Sequence, residues 1–384
     1  MISIVIVGYN SRQDLKDCFD SLFTSSYKRF KIIYVDNGSS DGSYQFVKDN
    51  YSKVIAIKNK NTGYAGGNNV GIKYALKHNM SKYPYRSSLP ARRSFNEVGS
   101  RTNFSIPRLS AVHSKNKTDK ANTRAESHYV FILNPDTIVD KDCLKILAQK
   151  ADRQTIVQPL ILLNIKGKNT RQINTTGSYL NFLGFSYCNN YRLDQNTAKE
   201  VEIGLSSGAA VLIAVDIIKK IGLLDENFFM YHEDVDWFYR ARLNGFKIWL
   251  VPSAIVYHNY SFSKNKNKFF YSERNRLLFL YKNFTLKYLA LIFPIFLINE
   301  LLIILYSALN GWFLLKIKSY LSILKLLKQE GRGRRRNLIL AKSMEKQNKQ
   351  FIGSKISFSE VKNPLFLPYN LLLKLYFKII YLLI

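Results

Sequence analysis

Three short apolar runs, separated by helix-patterned segments, dominate the first eighty residues and leave few folds open. Ile2–Val7 is apolar except for Ser3, Ile32–Val35 follows Lys31 as a second run, and Val54–Ile57 is a third. Leu15, Phe19 and Leu22 recur at helical spacing between the first two, and a further helix is expected near Ala65–His78. Strands apolar on both faces, alternating with helices, are the pattern of a parallel sheet covered on both sides. The expected fold class is α/β, with a mixed, mostly parallel sheet and helices on both faces.

Residues 81–127 break this rhythm. The stretch is rich in Ser, Arg, Asn and Lys, has prolines at 84, 90 and 107, and reads as an inserted flexible loop. It joins a helix end to a strand start, so it is expected to emerge away from the carboxyl ends of the strands, where such sheets bind ligands. The sheet is expected to resume at Tyr129–Leu133, followed by Asn134-Pro135-Asp136-Thr137. Helices are then expected at Asp142–Lys150, Val215–Ile221 and Glu233–Asn244, irregular strands through Ser207, and a strand over Phe246–Val256.

The formal charge of +30 is unevenly placed. Residues 129–263 carry 14 basic and 13 acidic side chains, whereas 264–384 carry 22 and 5. That basic tail also holds the longest apolar runs. Tyr288–Leu315 has one charged residue, Glu300, and Pro364–Ile384 carries Lys374 and Lys378 one turn apart. Basic and apolar character together suit an anionic membrane surface, while a nucleic-acid-binding tail rarely interleaves its lysines with such runs. No nucleic-acid partner is expected. About 20 apolar residues span a bilayer, but Pro294, Glu300 and Asn310-Gly311 interrupt the first run and both its flanks are basic. A single crossing would place one basic flank outside, so a re-entrant hairpin or helices lying in the interface is expected. The opening MISIVIVGYN has no basic n-region, and no secretory signal is expected. Three widely spaced cysteines without a CxxC pair speak against a disulfide scaffold or a cysteine-type zinc site.

Polar residues close several of the apolar runs, where a doubly wound sheet has its ligand crevice. Tyr9-Asn10 follow the first, Asp36 the second, and Asn134 and Asp136 the run before the proline. One such acid is weak evidence, because turns favour Asp on their own account; three such ends are an active-site pattern. An acidic crevice suits a negatively charged nucleotide only through a divalent cation, and the oxygens of Asp136 and Asn134 suit Mg²⁺ or Mn²⁺. The loop Asn61-Thr62-Gly63-Tyr64-Ala65-Gly66-Gly67-Asn68-Asn69 opens a helix and lets backbone pass close to a ligand. It lacks the Gly-Lys-Ser/Thr of a Walker loop, and no GxGxxG follows the first strand.

GYN at 8–10, VDNGSSDGS at 35–43, NTGYAGGNNVGI at 61–72, ILNPDT at 132–137 and FFMYHEDVDWFYRARLNGFKI at 228–248 occur in that order. Together they resemble glycosyltransferase family 2, in its rhamnosyltransferase-like branch, over about residues 1–263 apart from the insertion. The resemblance implies a GT-A catalytic domain over 1–263 and leaves 264–384 as a basic, hydrophobic, membrane-associated region. It implies an inverting transferase that uses a nucleotide-diphosphate sugar. Asp36 would hydrogen-bond the base, with Tyr9 and Asn10 lining the pocket. Gly63, Gly67, Asn68 and Asn134 would complete the nucleotide site. Asp136 would be the chief metal ligand, since Asn134 replaces the first acid of the family's Asp-x-Asp, and His258 would complete the metal or diphosphate site. Asp234 of the Glu233-Asp234 pair would be the general base. An inverting displacement needs one base to deprotonate the attacking hydroxyl and one cation to hold the departing diphosphate.

The same residues have plainer readings. Acids in the first turn stabilise a helix by about 0.3–1 kcal/mol each, which is all that Glu233 or Asp236 need do. Trp237 and Arg240 read as packing and a surface pair, and Ser207-Gly208-Ala209 reads as a small-residue turn before a helix, resembling the family's acceptor-side loop. The expected function is sugar transfer from a dTDP- or UDP-sugar to a lipid-linked or cell-surface glycan at the cytoplasmic face of the membrane. A catalytically inactive scaffold of the same fold and a different nucleotide-sugar enzyme, such as a nucleotidyltransferase, are the alternatives.

Overall fold

The computed structural model describes residues 1–80, 128–260, 267–329, 351–356 and 366–383. The insertion at 81–127 and the arginines of 332–336 lie outside the described residues. The first half of the fold runs β1 (Ile2–Gly8), α1 (Leu15–Phe23), β2 (Phe30–Asp36), α2 (Ser43–Asn50), β3 (Val54–Lys58), α3 (Gly63–Met80), β4 (Tyr129–Leu133), β5 (Thr137–Val139) and α4 (Cys143–Lys150). There follow β6 (Thr155–Ile165), β7 (Lys168–Thr175), β8 (Ser178–Asn181), β9 (Ser186–Cys188), β10 (Val201–Glu202), β11 (Ala210–Ala214), α5 (Val215–Ile221), α6 (Glu233–Leu243) and β12 (Lys247–His258). The C-terminal part contributes α7 (Lys268–Asn283), α8 (Leu286–Leu309), α9 (Phe313–Gln329), β13 (Ile352–Gly353) and α10 (Phe366–Leu383).

The main sheet has the order β10-β12-β6-β11-β4-β1-β2-β3, with β5 on β12 and β7 on β6. Strands β3, β2, β1 and β4 are mutually parallel, as are β6 and β12; β11 runs antiparallel between β4 and β6. This is the mixed, mostly parallel sheet expected from the sequence. Every residue of β1 and β4 is buried, which is why both read as continuous apolar runs rather than alternating ones. Register puts Gly8 beside Asp36, so the polar ends of β1 and β2 meet at one edge.

Two expectations change. Ser207-Gly208-Ala209 precedes β11, not a helix. The helix α7 has no counterpart in the sequence reading, because its apolar positions are broken by Glu273, Arg274, Asn275 and Arg276, all of which are buried. Paired and hydrogen-bonded polar groups satisfy burial as apolar ones do, and periodicity cannot see them.

Helix α8 reverses the usual pattern. Its buried residues include Asn299, Glu300 and Ser307, while most of its leucines face outward. Its described neighbours α9 and α10 bury Lys316, Ser319 and Leu373 but also expose leucines.

Candidate active site

The carboxyl end of β2 places Asp36, which is buried, where its Oδ1 accepts from the Ser39 backbone N–H at 3.1 Å and its Oδ2 from the Tyr34 hydroxyl at 3.4 Å. Burial and then the Asp36 charge push the Tyr34 phenol up from its ordinary value, so it stays a donor. Asn10 takes a left-handed conformation, φ 52°, which Asn tolerates better than most residues. From there it ties the end of β1 to the loop after β2: its N–H donates to Ser39 Oγ at 2.9 Å and its Oδ1 accepts from the Ser40 N–H at 2.8 Å. Tyr9 beside it is 55% exposed, an unpacked aromatic ring at the crevice mouth.

Asn37, the next residue after Asp36, is a hub. Its Nδ2 donates to the Gly63 carbonyl at 3.0 Å, and its Oδ1 accepts from Asn59 Nδ2 at 2.9 Å and from the Thr62 N–H at 3.3 Å. The glycine loop is thereby held against the end of β2. The glycines themselves serve packing. Gly63 has φ +73° and a Cβ there would strike the Phe229 carbonyl, while a Cβ on Gly67 would lie 2.5 Å from Val7 Cγ1, where α3 crosses β1. The expectation of close approach is met by protein atoms. Asn68 is buried; its Nδ2 donates to the Tyr64 carbonyl at 2.9 Å and its Oδ1 has no hydrogen-bond partner.

The turn after β4 meets the end of β12 because β5 pairs antiparallel with β12, setting Thr137 opposite His258. Residues 124 apart in sequence thus converge. His258 Nε2 lies 3.2 Å from Asp136 Oδ1 and 3.4 Å from Asn134 Nδ2. On the other side of the ring, Nδ1 is 2.9 Å from Asn174 Oδ1, an acceptor. That contact fixes the ring orientation and turns Nε2 toward Asp136. Asn134 Oδ1 is buried with no hydrogen-bond partner. A carboxylate oxygen, an imidazole nitrogen and an unsatisfied amide oxygen in one cluster fit a divalent cation. No group of three or more His, Cys, Asp or Glu occurs among the described residues. The donor set is therefore partial, suited to a cation that takes its remaining ligands from phosphate and water, as Mg²⁺ commonly does.

The third group opens α6. Asp234 Oδ2 accepts from the Gly208 N–H at 2.9 Å and Oδ1 from the Val235 N–H at 2.8 Å. Burial raises its pKa, and these N–H donors oppose the rise. Glu233 is raised further, by burial and then by the Asp234 charge, and its Oε2 has no hydrogen-bond partner. Tyr64 donates to the Gly208 carbonyl at 2.7 Å. Its phenol is held well above its ordinary value by burial, then by Glu233, Asp234 and Asp136. One tyrosine thus senses the acids of both the α6 start and the β4 turn. The Asn134 N–H donates to the Ala209 carbonyl at 2.9 Å, joining the two groups through the Ser207–Ala209 turn.

The chain enters α6 under strain. Phe229, Tyr231 and His232 all have φ between 61° and 67°, a region costly for residues with a Cβ. Helix α7 holds this run. Asn275 Nδ2 donates to the carbonyls of Phe228, Met230 and Tyr231 at 2.7, 2.8 and 2.7 Å, and Arg274 Nη2 to those of Asn227 and Phe228 at 2.9 and 2.8 Å. His232 Nε2 donates to the Gly184 carbonyl at 3.0 Å, and burial lowers its pKa to about 4, so the ring is neutral. Asp236 belongs to the scaffold: it pairs with Arg240 Nε at 2.8 Å and accepts from Asn283 Nδ2 at 2.9 Å. Trp237 is packed and donates to the Gly222 carbonyl at 2.8 Å. Arg240 is not a surface residue as expected, since its Nη2 reaches the Leu223 carbonyl at 2.8 Å in addition to the Asp236 pair.

Residues 3–77 match the family model described as Glycosyl transferase family 2. Over 260 residues, 67% of each chain, the protein is 25% identical to the low-salt glycan biosynthesis hexosyltransferase Agl10 of Haloferax volcanii. Over 280 residues it is 24% identical to the N-acetylglucosaminyl-diphospho-decaprenol L-rhamnosyltransferase of Mycobacterium tuberculosis, covering 70% of this chain and 78% of that one. The chain is a glycosyltransferase, and family 2 is the family that its N-terminal residues match. Its GT-A fold is shared with GalNAc-T7, solved with UDP, GalNAc and Mn²⁺, at a TM-score of 0.51 and 14% identity over 74% of the transferase and 48% of that chain.

Of the transferase's site residues, sequence reasoning passed over Asn37, Tyr64, Asn174, Arg274 and Asn275. The first two lie inside recognisable motifs. Nothing in the sequence ties Asn174 to His258 or Asn275 to Phe228, because only folding brings them within reach.

Proposed function

We propose that the transferase moves a sugar from a nucleoside-diphosphate donor, dTDP- or UDP-linked, to a hydroxyl of a lipid-linked or cell-surface glycan, with inversion at the anomeric carbon. The observation that carries this reading is the placement of a half-buried, raised-pKa carboxylate, Asp234, joined through the Ser207–Ala209 turn to the Asn134–Asp136–His258 cluster. A base and a phosphate-side cluster at that adjacency are what a single displacement needs. The Gly208 N–H aims one Asp234 oxygen and the Val235 N–H the other, so the carboxylate meets the acceptor hydroxyl already oriented. Asp234 takes the hydroxyl proton as the acceptor oxygen bonds to the anomeric carbon, and the donor's glycosidic C–O bond breaks toward the diphosphate.

Asp136, His258 and Asn134 would hold a divalent cation, Mg²⁺ or Mn²⁺, which when bound neutralises charge on the departing diphosphate. Asn174 fixes the His258 ring for that task. Asp36 accepts from the base, Tyr9 offers a face for stacking, and Asn10 shapes the loop between them. The acceptor class is supported by the relatives, whose names specify a glycan-pathway hexosyltransferase and a rhamnosyltransferase of a diphospho-decaprenol glycan. A lipid-linked acceptor and a nucleotide-sugar donor meet at the cytoplasmic face of the membrane.

The test is a thermal-shift panel of UDP, dTDP, GDP and ADP, each with and without Mn²⁺. Selective binding stabilises by about 2.7 kcal/mol at a hundredfold excess over Kd. A shift with one nucleotide, enlarged by metal and lost in Asp136→Ala, is the expected outcome. Equal response to all four, or none, removes the donor reading.

A further inference from the structure

Helices α8, α9 and α10 present an outer surface that water does not suit. On α8, Leu301, Leu305 and Leu309 point outward, Leu309 with 77% of its surface exposed. Leu314 and Leu321 of α9 and Leu375, Ile379 and Leu382 of α10 are exposed likewise, Leu382 at 85%. Soluble monomers rarely expose a contiguous patch of this kind.

Inside, the same helices bury Ile292, Ile295, Ile323, Leu373 and Ile380 together with a polar cluster. Glu300 of α8 accepts from Lys316 of α9 at 2.8 Å and from the Tyr320 hydroxyl at 2.5 Å, and pairs with Arg276 of α7. Arg276 also reaches Glu273 at 2.9 Å, and Lys316 pairs with Glu273. Two acids and two bases close a buried, charge-balanced cluster. On α10, the Tyr369 hydroxyl donates to Asn299 Oδ1 at 3.0 Å and that of Tyr376 to the Leu291 carbonyl at 2.8 Å. Charge inside and leucine outside is the arrangement of helices whose solvent is hydrocarbon.

Charge names the kind of bilayer. The exposed ionisable groups among the described residues of these three helices are Lys287, Lys318, Lys325, Lys328, Lys374 and Lys378, and the one acid, Glu300, is inside. Leucines interleaved with lysines, without exposed acid, match an interface of anionic headgroups over acyl chains.

A crossing is opposed by the tethers. α8 is long and apolar enough for one, at 24 residues and about 36 Å. Yet its middle is bonded through Glu300 to α7, and α7 is bonded through Arg274 and Asn275 to the loop that enters α6. α9 and α10 expose lysines partway along their lengths. We infer that the outer face of α8, α9 and α10 docks the transferase in the plane of an anionic bilayer without crossing it. This deepens the membrane reading above but rests on the helices, not on the transfer chemistry.

The test uses the full chain, floated with vesicles of phosphatidylcholine alone or with phosphatidylglycerol. Co-flotation with the anionic vesicles, weakened by salt, is expected. Lys374→Gln and Lys378→Gln should each weaken partitioning about fivefold, and Leu301→Glu with Leu305→Glu should abolish it while nucleotide-induced thermal shifts persist. Protein that stays soluble and monomeric without floating overturns the inference, as does a stable dimer indifferent to vesicles, which would assign the face to a second copy. Resistance to alkaline carbonate extraction would show a crossing and overturn it equally. Nucleotide shifts report on the donor site separately, so either reading can fail alone.

Discussion

In the sheet, Ile4, Ile6 and Phe131 lie inside and charge lies at the rim; across α8–α10, Glu300 and Lys316 lie inside beside Ile292, Ile295, Ile323 and Leu373, and leucines lie outside. The two regions meet at α7, whose Arg274 and Asn275 face the loop that enters α6 and whose Glu273 and Arg276 face the tail. The difference teaches that apolar content alone does not report burial. In the sheet an apolar residue stabilises by leaving water, about 25 cal/mol per Å². On the outer face of the tail helices the leucines remain exposed within the protein, and the buried side combines apolar packing with ionic and hydrogen-bonded contacts.

Five experiments would break or sharpen that comparison. The largest effect is expected at the site the sheet builds. Asp234→Asn should lower the transfer rate by about 10²–10⁴-fold, the range for a general base, with nucleotide binding retained, as read by single-turnover assay and thermal shift. Because burial raises the Asp234 pKa and the base must be ionised, activity in the native enzyme should fall, as pH drops, at a higher pH than an ordinary aspartate would give. A pH–rate profile checks this, and an acid limb at the ordinary position would remove burial from the account.

Next comes the polar interior of the tail. Glu300→Gln leaves Arg276 and Lys316 to share Glu273 alone, and breaking a buried pair this way typically costs about 3–5 kcal/mol. Denaturant unfolding of the full chain in detergent measures it. A change within error would mean that the cluster is hydrated rather than buried.

Asn275→Ala is smaller. It removes the two N–H hydrogens shared among three carbonyls, and leaving buried carbonyls unsatisfied costs about 1–3 kcal/mol. The loop it holds leads to Asp234, so kcat should fall more than the donor KM rises. Equal loss in both would make Asn275 structural only.

The smallest effect separates the two regions most directly. Leu301→Gln, on the outer face, should change stability in detergent-free buffer by less than about 0.5 kcal/mol, whereas Phe131→Ala in β4 should cost about 3–5 kcal/mol. Comparable losses in thermal melts would erase the contrast.

Much of the fold was legible because its signals are local. The runs that became β1, β2, β3 and β4 are continuous in sequence, and α5 begins and ends where its pattern does. The α6 start was legible as an acidic turn and the β4 end as Asn-Pro-Asp. What escaped was long-range. Helix α7 was hidden because its buried face is polar, and the Ser207–Ala209 turn was misplaced before a helix because small residues precede strands as readily. Gly63 and Gly67 read as room for a ligand, and the sequence did not show that Phe229 and Val7 need that room as well.

By itself, then, the sequence determined the α/β alternation, the polar strand ends and the basic, apolar character of the tail, since each depends on residues near one another in the chain. Only the tertiary structure decided that His258 meets Asp136, that Asn174 sets its ring orientation, that Gly208 orients Asp234, and that Glu300 turns inward to Arg276 and Lys316. Those pairings join residues 16 to 122 positions apart. Partners at such separations are chosen by strand register and helix packing, which no local pattern of side chains encodes.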